Sequence, residues 1–170
     1  MRKICCLFLF VLSVNVQAKS IAAFLKTIES NHLLHMNYRQ IPFICKPYGI
    51  ETLSELVYRT DVNSSCMGYL KEYRIVDPNE KFFAVQNLRI EQQYRVEGIG
   101  NECLLHHSSG HSYSEALLEN GYARIPPQLR YKDTILRHRF KQAERRAKIK
   151  KAGIWSDVNV RNCFLMVNEK

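Results

Sequence analysis

The stretch SYSEALLENGYARI, residues 112–125, carries the clearest structural signals in the chain. Ser112 and Glu115 have the spacing of a capping box, in which each side chain accepts a hydrogen bond from the other residue's backbone N–H. Asn120-Gly121 is a typical helix end, because glycine adopts the left-handed conformation at little cost. The pattern therefore predicts a short helix over Tyr113–Glu119.

A second, longer helix is predicted after Pro126-Pro127, which interrupt the chain. Asp133 or Thr134 is placed to cap its start, and Gly153 follows its end at Lys151. Apolar or small residues recur at helical spacing and predict one narrow buried stripe. The stripe consists of Leu136, Phe140, Ala143 and Ala147.

Basic residues are concentrated in and around this second helix. Of the 25 lysines and arginines, 11 lie in residues 124–151, opposed there by Asp133 and Glu144 alone, and the chain has a net charge of +9. Such a face attracts polyanions, namely nucleic acid, acidic lipid headgroups or lipopolysaccharide, although a merely solvated helix face is the alternative. The candidate binding residues are Arg124, Arg130, Lys132, Arg137, Arg139, Lys141, Arg145 and Arg146.

Residues 112–157 resemble the C-terminal part of the staphylococcal nuclease-like (thermonuclease) family. The matching motifs are EALL (115–118), GYARI (121–125), Ala143-Glu144, Ala147 and GIWS (153–156). The resemblance implies an α+β fold, an OB-like five-stranded β-barrel with about three helices. It implies a single domain over residues 19–170.

The same resemblance implies calcium-assisted hydrolysis of DNA or RNA phosphodiesters. In that family carboxylates hold Ca²⁺, a glutamate lies near the attacking water, and two arginines neutralise the charge developing on phosphate. In the alignment, the two arginine positions fall on Phe43 and Asn101. Tyr48 replaces a metal-binding aspartate, and Glu51 is retained.

With both arginines missing, the active site is predicted to be degenerate. The family's upstream Asp-Gly-Asp appears here as Glu29-Ser30-Asn31, and a shifted alignment would bring in Arg39 or Lys46. Loss of one donor to the developing charge costs about a hundredfold to a thousandfold in rate. Glu51 is therefore the one candidate catalytic residue, and Ca²⁺ is the cofactor if catalysis persists.

The first residues have the pattern of a signal peptide. Arg2 and Lys3 precede an apolar run at residues 4–14, and Val16-Gln17-Ala18 is a small-residue cleavage site. The run is too short for a transmembrane anchor. We expect removal of residues 1–18 and a secreted or periplasmic protein.

Export makes disulfides the expected state of the other cysteines. Cys45, Cys66, Cys103 and Cys163 are even in number and lack the C-x-x-C spacing typical of zinc sites. The sequence leaves three pairings open. We favour Cys45 with Cys66 and Cys103 with Cys163, because the first pair closes a short loop.

Patterns in the N-terminal half are weaker. Residues 20–30 suit a strand or a short helix, and residues 32–44 suit two strands around a turn near 37–40. Apolar residues have helical spacing over residues 51–58. Alternation over residues 81–94 predicts a strand, and residues 103–105 predict another.

Three functional hypotheses follow, for a chain whose 46% hydrophobic content excludes full disorder. The first is an exported protein that binds a polyanion, with nucleic acid favoured, through its basic helix and has degenerate or absent phosphodiesterase activity. The alternative is an active calcium-dependent secreted endonuclease. The third is a non-enzymatic envelope module whose basic helix docks on an acidic protein.

Overall fold

The computed structural model describes residues 20–57, 64–107, 110–127, 131 and 133–166, so the predicted signal peptide lies outside the described residues. The strands are β1 (Ser20–Ser30), β2 (Leu33–Tyr38), β3 (Ile41–Cys45), β4 (Glu51–Thr52), β5 (Gln93–Ile99), β6 (Glu102–His106) and β7 (Ala123–Arg124). The helices are α1 (Leu53–Leu56), α2 (Ser64–Val76), α3 (Pro78–Asn87), α4 (Tyr113–Glu119), α5 (Thr134–Lys150) and α6 (Val158–Met166), with a 3-10 turn at Gly153–Trp155 before α6.

A five-stranded antiparallel sheet in the order β3-β2-β1-β5-β6 forms the centre of the fold, and β4 pairs separately with β7. Register shifts near Thr27 and Ser30 bend β1, which pairs with β2 and β5. The predicted turn near residues 37–40 is confirmed, and Arg39 and Gln40 adopt φ values of 50° and 70° there.

The two outer strands of the sheet meet at a disulfide. Cys45, at the end of β3, is bonded to Cys103 in β6, with their Cα atoms 5.3 Å apart. Beside this bond, Cys103 N donates to Lys46 O at 2.8 Å and Tyr48 N donates to Cys103 O at 2.9 Å. The predicted α+β fold is confirmed, but the described residues form six α-helices rather than about three.

The favoured disulfide pairing is wrong. The structure joins Cys45 to Cys103 and Cys66 to Cys163, across 58 and 97 residues of sequence. A disulfide requires Cα atoms about 4.4–6.8 Å apart, so pairing follows the packing of the elements rather than the shortest loop. The second bond ties α2 to α6.

The strand predicted over residues 81–94 is wrong in its first half, which is helical. Asp77 caps α3 by accepting a hydrogen bond at 3.1 Å from the backbone N–H two residues on, and Pro78 occupies the first turn. The apparent alternation arose from the two faces of this helix. Its exposed face includes Phe82 and Val85, and its buried face consists of Glu80, Phe83 and Ala84.

Both predicted C-terminal helices are confirmed. Ser112 N donates to Glu115 Oε2 at 2.7 Å, and Glu115 N donates to Ser112 Oγ at 3.2 Å, which completes the capping box of α4. Asp133 caps α5. The stripe of Leu136, Phe140, Ala143 and Ala147 is buried as predicted.

Within the described part of the chain, no helix has the length and hydropathy needed to cross a bilayer.

Two glycines bring the chain after α4 and the chain after α5 into backbone contact. Gly121 and Gly153 both lie in the left-handed region, with φ values of 72° and 53°. Ile154 N donates to Gly121 O at 3.0 Å. A Cβ atom on Gly153 would lie 2.6 Å from Asn120 O. The GYARI and GIWS motifs therefore touch each other, and this contact is the physical reason for their glycines.

We expect Gly121→Ala to lower the free energy of unfolding by at least about 2 kcal/mol. The left-handed backbone costs an alanine about 1–2 kcal/mol, and the clash with the backbone of Ala152 adds about 1–3 kcal/mol. Gly100 also has a positive φ, 63°, but a Cβ atom there would meet open space, so Gly100→Ala should lose only the stability that the left-handed backbone costs. Gly98→Ala should lower the free energy of unfolding least. Urea denaturation measures all three, and equal losses would contradict the close approach.

Peptide mapping without reductant is expected to recover Cys45 linked to Cys103 and Cys66 linked to Cys163. Reducing either bond should lower the free energy of unfolding by about 2–5 kcal/mol, because each bond restricts the unfolded chain over a long loop. A peptide that links Cys45 to Cys66 would contradict the described topology.

Candidate catalytic region and nucleic-acid interface

Glu51, the candidate catalytic residue, is bound to a buried arginine. It lies on β4 directly opposite Arg124 on β7. Its Oε2 accepts hydrogen bonds from Arg124 Nε at 2.9 Å and from Arg124 Nη2 at 2.7 Å. Arg124 Nη1 donates to the Phe164 carbonyl, and the guanidinium lies 5.0 Å from the centroid of the Phe164 ring. One cation thus fastens β4, β7 and α6 together.

Arg124 was predicted to bind a polyanion, and its burial corrects that prediction. Arg124 is only 1% exposed, so its guanidinium cannot reach a phosphate in solvent. Glu51 cannot leave Arg124 without uncovering a buried charge, which is energetically costly. The catalytic role of Glu51 stays a prediction, and it competes with this structural role.

The two positions assigned to phosphate-binding arginines lie in one groove. Phe43 of β3 and Asn101, between β5 and β6, both line a cavity of about 450 Å³. The other walls are mainly apolar and include Ile21 and Ile41. None of the described lining residues is a lysine or arginine, and Glu102 adds a negative charge that repels phosphate. Phe43 and Asn101 thus lie in the same groove, and the described lining of that groove offers a phosphate no cationic side chain.

The carboxylates near this groove do not fit the calcium ion that the resemblance implies. Glu102 Oε2 accepts a hydrogen bond from Gly49 N at 3.1 Å, and Glu51 is held by Arg124. Burial, and secondly the charge of Glu51, raise the pKa of Glu55. Ca²⁺ takes about six to eight oxygen ligands. Among the described residues, no group of three or more His, Cys, Asp or Glu side chains is placed to hold a metal ion.

Asn31 and Tyr48, at positions that the resemblance associates with metal binding, make structural contacts instead. Asn31 is buried after β1, where Nδ2 donates to the carbonyl of Glu80 and, at 3.2 Å, to its Oε1. Asn31 Oδ1 accepts a hydrogen bond from Ala84 N at 2.9 Å. The Tyr48 ring packs edge-on against the Tyr131 ring, with centroids 6.0 Å apart. Asn31 therefore anchors α3 to the sheet.

Part of the basic helix is engaged by acidic residues of α4. Arg139 donates to the two oxygens of the Glu115 carboxylate at 2.8 and 2.7 Å, and Arg146 donates to those of Glu119 at 3.0 and 3.2 Å. Burial alone raises the pKa of Glu115, but hydrogen bonds from Ser112 and Arg139 outweigh it and lower the pKa. Arg139 and Arg146 thus hold α5 against α4.

Three of the predicted binding residues, Arg137, Lys141 and Arg145, form what we call the outer basic row. All three are exposed, and none makes an ion pair with a described residue. Because they are four residues apart, they follow one line along α5 at intervals of about 6 Å. The other two candidates, Arg130 and Lys132, lie outside the described residues.

Sequence reasoning missed the acidic partners of α5. Glu115 and Glu119 are one helical turn apart on α4, and Arg139 and Arg146 are two turns apart on α5. Such complementary charges on consecutive helices are a signal for interhelical ion pairs. That signal would have separated the structural arginines from the exposed ones.

Comparison with known proteins identifies a family. The model of a family described as staphylococcal nuclease homologue matches residues 46–157. The matched segment begins directly after β3 and includes β4, Asn101 and all of α5. No curated protein matches the chain.

We expect Glu51→Ala to lower the free energy of unfolding by about 3–5 kcal/mol, because it leaves Arg124 buried without its carboxylate. Glu51→Gln should lose less, since it keeps one acceptor oxygen. The matched control is Glu91→Gln, because Glu91 forms an exposed ion pair with Lys26 at 2.7 Å. This substitution should change the free energy of unfolding by less than about 1 kcal/mol. Urea unfolding measures these differences. A fully stable Glu51→Ala protein would show that the ion pair does not support the fold.

Proposed function

Because the chain belongs to the family of staphylococcal nuclease homologues, we propose that it uses this fold to bind a polyanion, nucleic acid in particular, with little or no phosphodiester cleavage. One observation carries the proposal, namely that the exposed positive charge lies on α5 and not in the groove that contains Phe43 and Asn101. The outer basic row is exposed on α5, whereas the described lining of the groove with Phe43 and Asn101 contains neither lysine nor arginine.

The outer basic row supports binding to a phosphate backbone. Its three side chains are long, cationic and unengaged by described carboxylates, so they can approach phosphates without breaking an ion pair. Contacts of this kind release condensed counterions, which makes the affinity fall with added salt. Phosphate contacts carry no base information, so we expect little sequence preference.

The groove argues against efficient cleavage. Phosphodiester hydrolysis builds negative charge on the phosphate, and each missing donor costs about a hundredfold to a thousandfold in rate. The resemblance assigns the two arginine positions to Phe43 and Asn101, which are uncharged, and Glu102 lies in the wall of the same groove. Among the described residues, moreover, no group of three or more His, Cys, Asp or Glu side chains is placed to hold a metal ion.

We also propose that the protein acts after export, in the periplasm or outside the cell. Two disulfides link distant parts of the fold, and such bonds persist in oxidising compartments. Free thiols at all four cysteines in protein isolated from its native source would contradict this part of the proposal.

Replacing Arg137, Lys141 and Arg145 together by alanine is expected to weaken binding to single-stranded DNA and RNA at least about tenfold in moderate salt. The slope of log affinity against log salt should fall by about 2, since each lost contact with a single strand removes about 0.7. The matched control is the double variant His138→Ala, Gln142→Ala. These two exposed residues of α5 are hydrogen-bonded to each other at 2.8 Å, and replacing them removes no lysine or arginine. Fluorescence anisotropy over a salt series measures both variants.

The same protein incubated with DNA or RNA should show no calcium-dependent cleavage above background. If cleavage appears with Ca²⁺, disappears with chelator and is lost in a folded Glu51→Gln protein, the active endonuclease is the correct function instead. If neither nucleic acid binds, nucleic-acid binding is refuted, and an acidic protein becomes the next partner to test for the basic helix.

A further inference from the structure

Large apolar side chains are exposed where α2 meets α3. Ile75, near the end of α2, is 82% exposed, and Phe82 and Val85 of α3 are 47% and 57% exposed. Ile75 and Phe82 line the same open groove, with a volume of about 580 Å³. Contiguous apolar patches on a protein surface commonly mark interaction sites. The groove is far in sequence from the outer basic row and from Phe43 and Asn101.

Cationic side chains border this apolar groove. Its remaining lining residues are Lys71, Arg74, Pro78 and Lys81, so every charged residue in its described lining is positive. Lys71 is one helical turn before Ile75, and Lys81 Nζ lies 5.5 Å from the centroid of the Phe82 ring. Lys71 and Lys81 are exposed and form no ion pair with a described side chain.

The acidic residues of this part of the chain, Glu72, Asp77 and Glu80, are not among the residues that line the groove. Glu80 is buried and accepts a hydrogen bond from Arg74 Nε at 2.9 Å. The Asp77 carboxylate caps α3 and accepts a hydrogen bond from Tyr73 Oη at 2.9 Å. Glu72 lines a different cavity, between α2 and α6. The groove therefore presents apolar surface together with lysine charge.

We propose that the groove between α2 and α3 docks the protein on a membrane surface that contains anionic phospholipid. Ile75 and Phe82 would enter the boundary between headgroups and acyl chains, while Lys71 and Lys81 would contact the phosphates. Lysines suit this position because their long stems pack on apolar surface and their charged ends reach the headgroups.

Charge favours an anionic membrane over a second copy of this chain. In a symmetric dimer the same patch faces itself, so the lysines of the two patches would be brought together and repel. A membrane that contains anionic lipid pairs with both lysines and covers the apolar residues. The proposal does not depend on nucleic-acid binding by α5, because the residues of the two sites do not overlap.

The test is sedimentation of the purified, oxidised protein with lipid vesicles. Vesicles of phosphatidylglycerol and phosphatidylcholine should bind the protein, and vesicles of phosphatidylcholine alone should bind it far less. Ile75→Ser with Phe82→Ser should lower binding at least about tenfold, because it removes most of the inserted apolar surface. Lys71→Gln and Lys81→Gln should each lower binding to the anionic vesicles by about fivefold.

The matched control is Ile149→Ser, which removes a side chain of 71% exposure from α5 and should leave vesicle binding unchanged. Circular dichroism and urea unfolding should show that every variant folds.

Unchanged vesicle binding by the Ile75→Ser, Phe82→Ser protein overturns the proposal, even if the alanine variant of the outer basic row lowers vesicle binding. A dimer in lipid-free buffer that this double variant dissociates overturns it in favour of a second copy. Nucleic-acid binding, measured in parallel, should be unaffected by the double variant, so the two proposals fail separately.

Discussion

A buried positive charge constrains the C-terminal half of this fold. Removing a guanidinium from water is costly unless a carboxylate and further acceptors replace its hydration. Arg124 obtains these from Glu51 and from the Phe164 carbonyl, so β4, β7 and α6 must come together wherever it is buried. The Cys66–Cys163 disulfide ties α2 to the same helix. A hydrophobic cluster that includes Leu53, Trp155 and Phe164 packs beside this arrangement.

Several carboxylates of this protein are occupied by structural hydrogen bonds and ion pairs, which limits their part in chemistry. Glu51 satisfies Arg124, Glu80 is bonded by Asn31 and Arg74, and Glu115 both caps α4 and binds Arg139. Each of these carboxylates has donors supplied by the protein itself. A metal or an attacking water would have to displace such donors, at the cost of leaving them unpaired.

The sequence predicted those features that depend on residues within one or two turns of each other. The capping box at Ser112 and the stripe on α5 belong to this kind, and both are present. For α3 the local signals were also available in Asp77-Pro78, but the alternation of apolar residues was given more weight. The burial of Arg124 could not be foreseen in this way, because its partners are 73 and 40 residues away. The disulfide pairing depends on the same long-range packing.

The ion pairs between α4 and α5 also determine which cations can bind a ligand. Arg139 and Arg146 could reach a polyanion only by releasing Glu115 and Glu119, which would loosen the contact between the two helices. Arg137, Lys141 and Arg145 carry no such cost, since no described carboxylate holds them. Among the described cations of α5, the binding energy of the proposed polyanion complex would therefore come mainly from a short line of three charges. Such a line would contact closely spaced phosphates without distinguishing base identity, because base edges are read by directed hydrogen bonds.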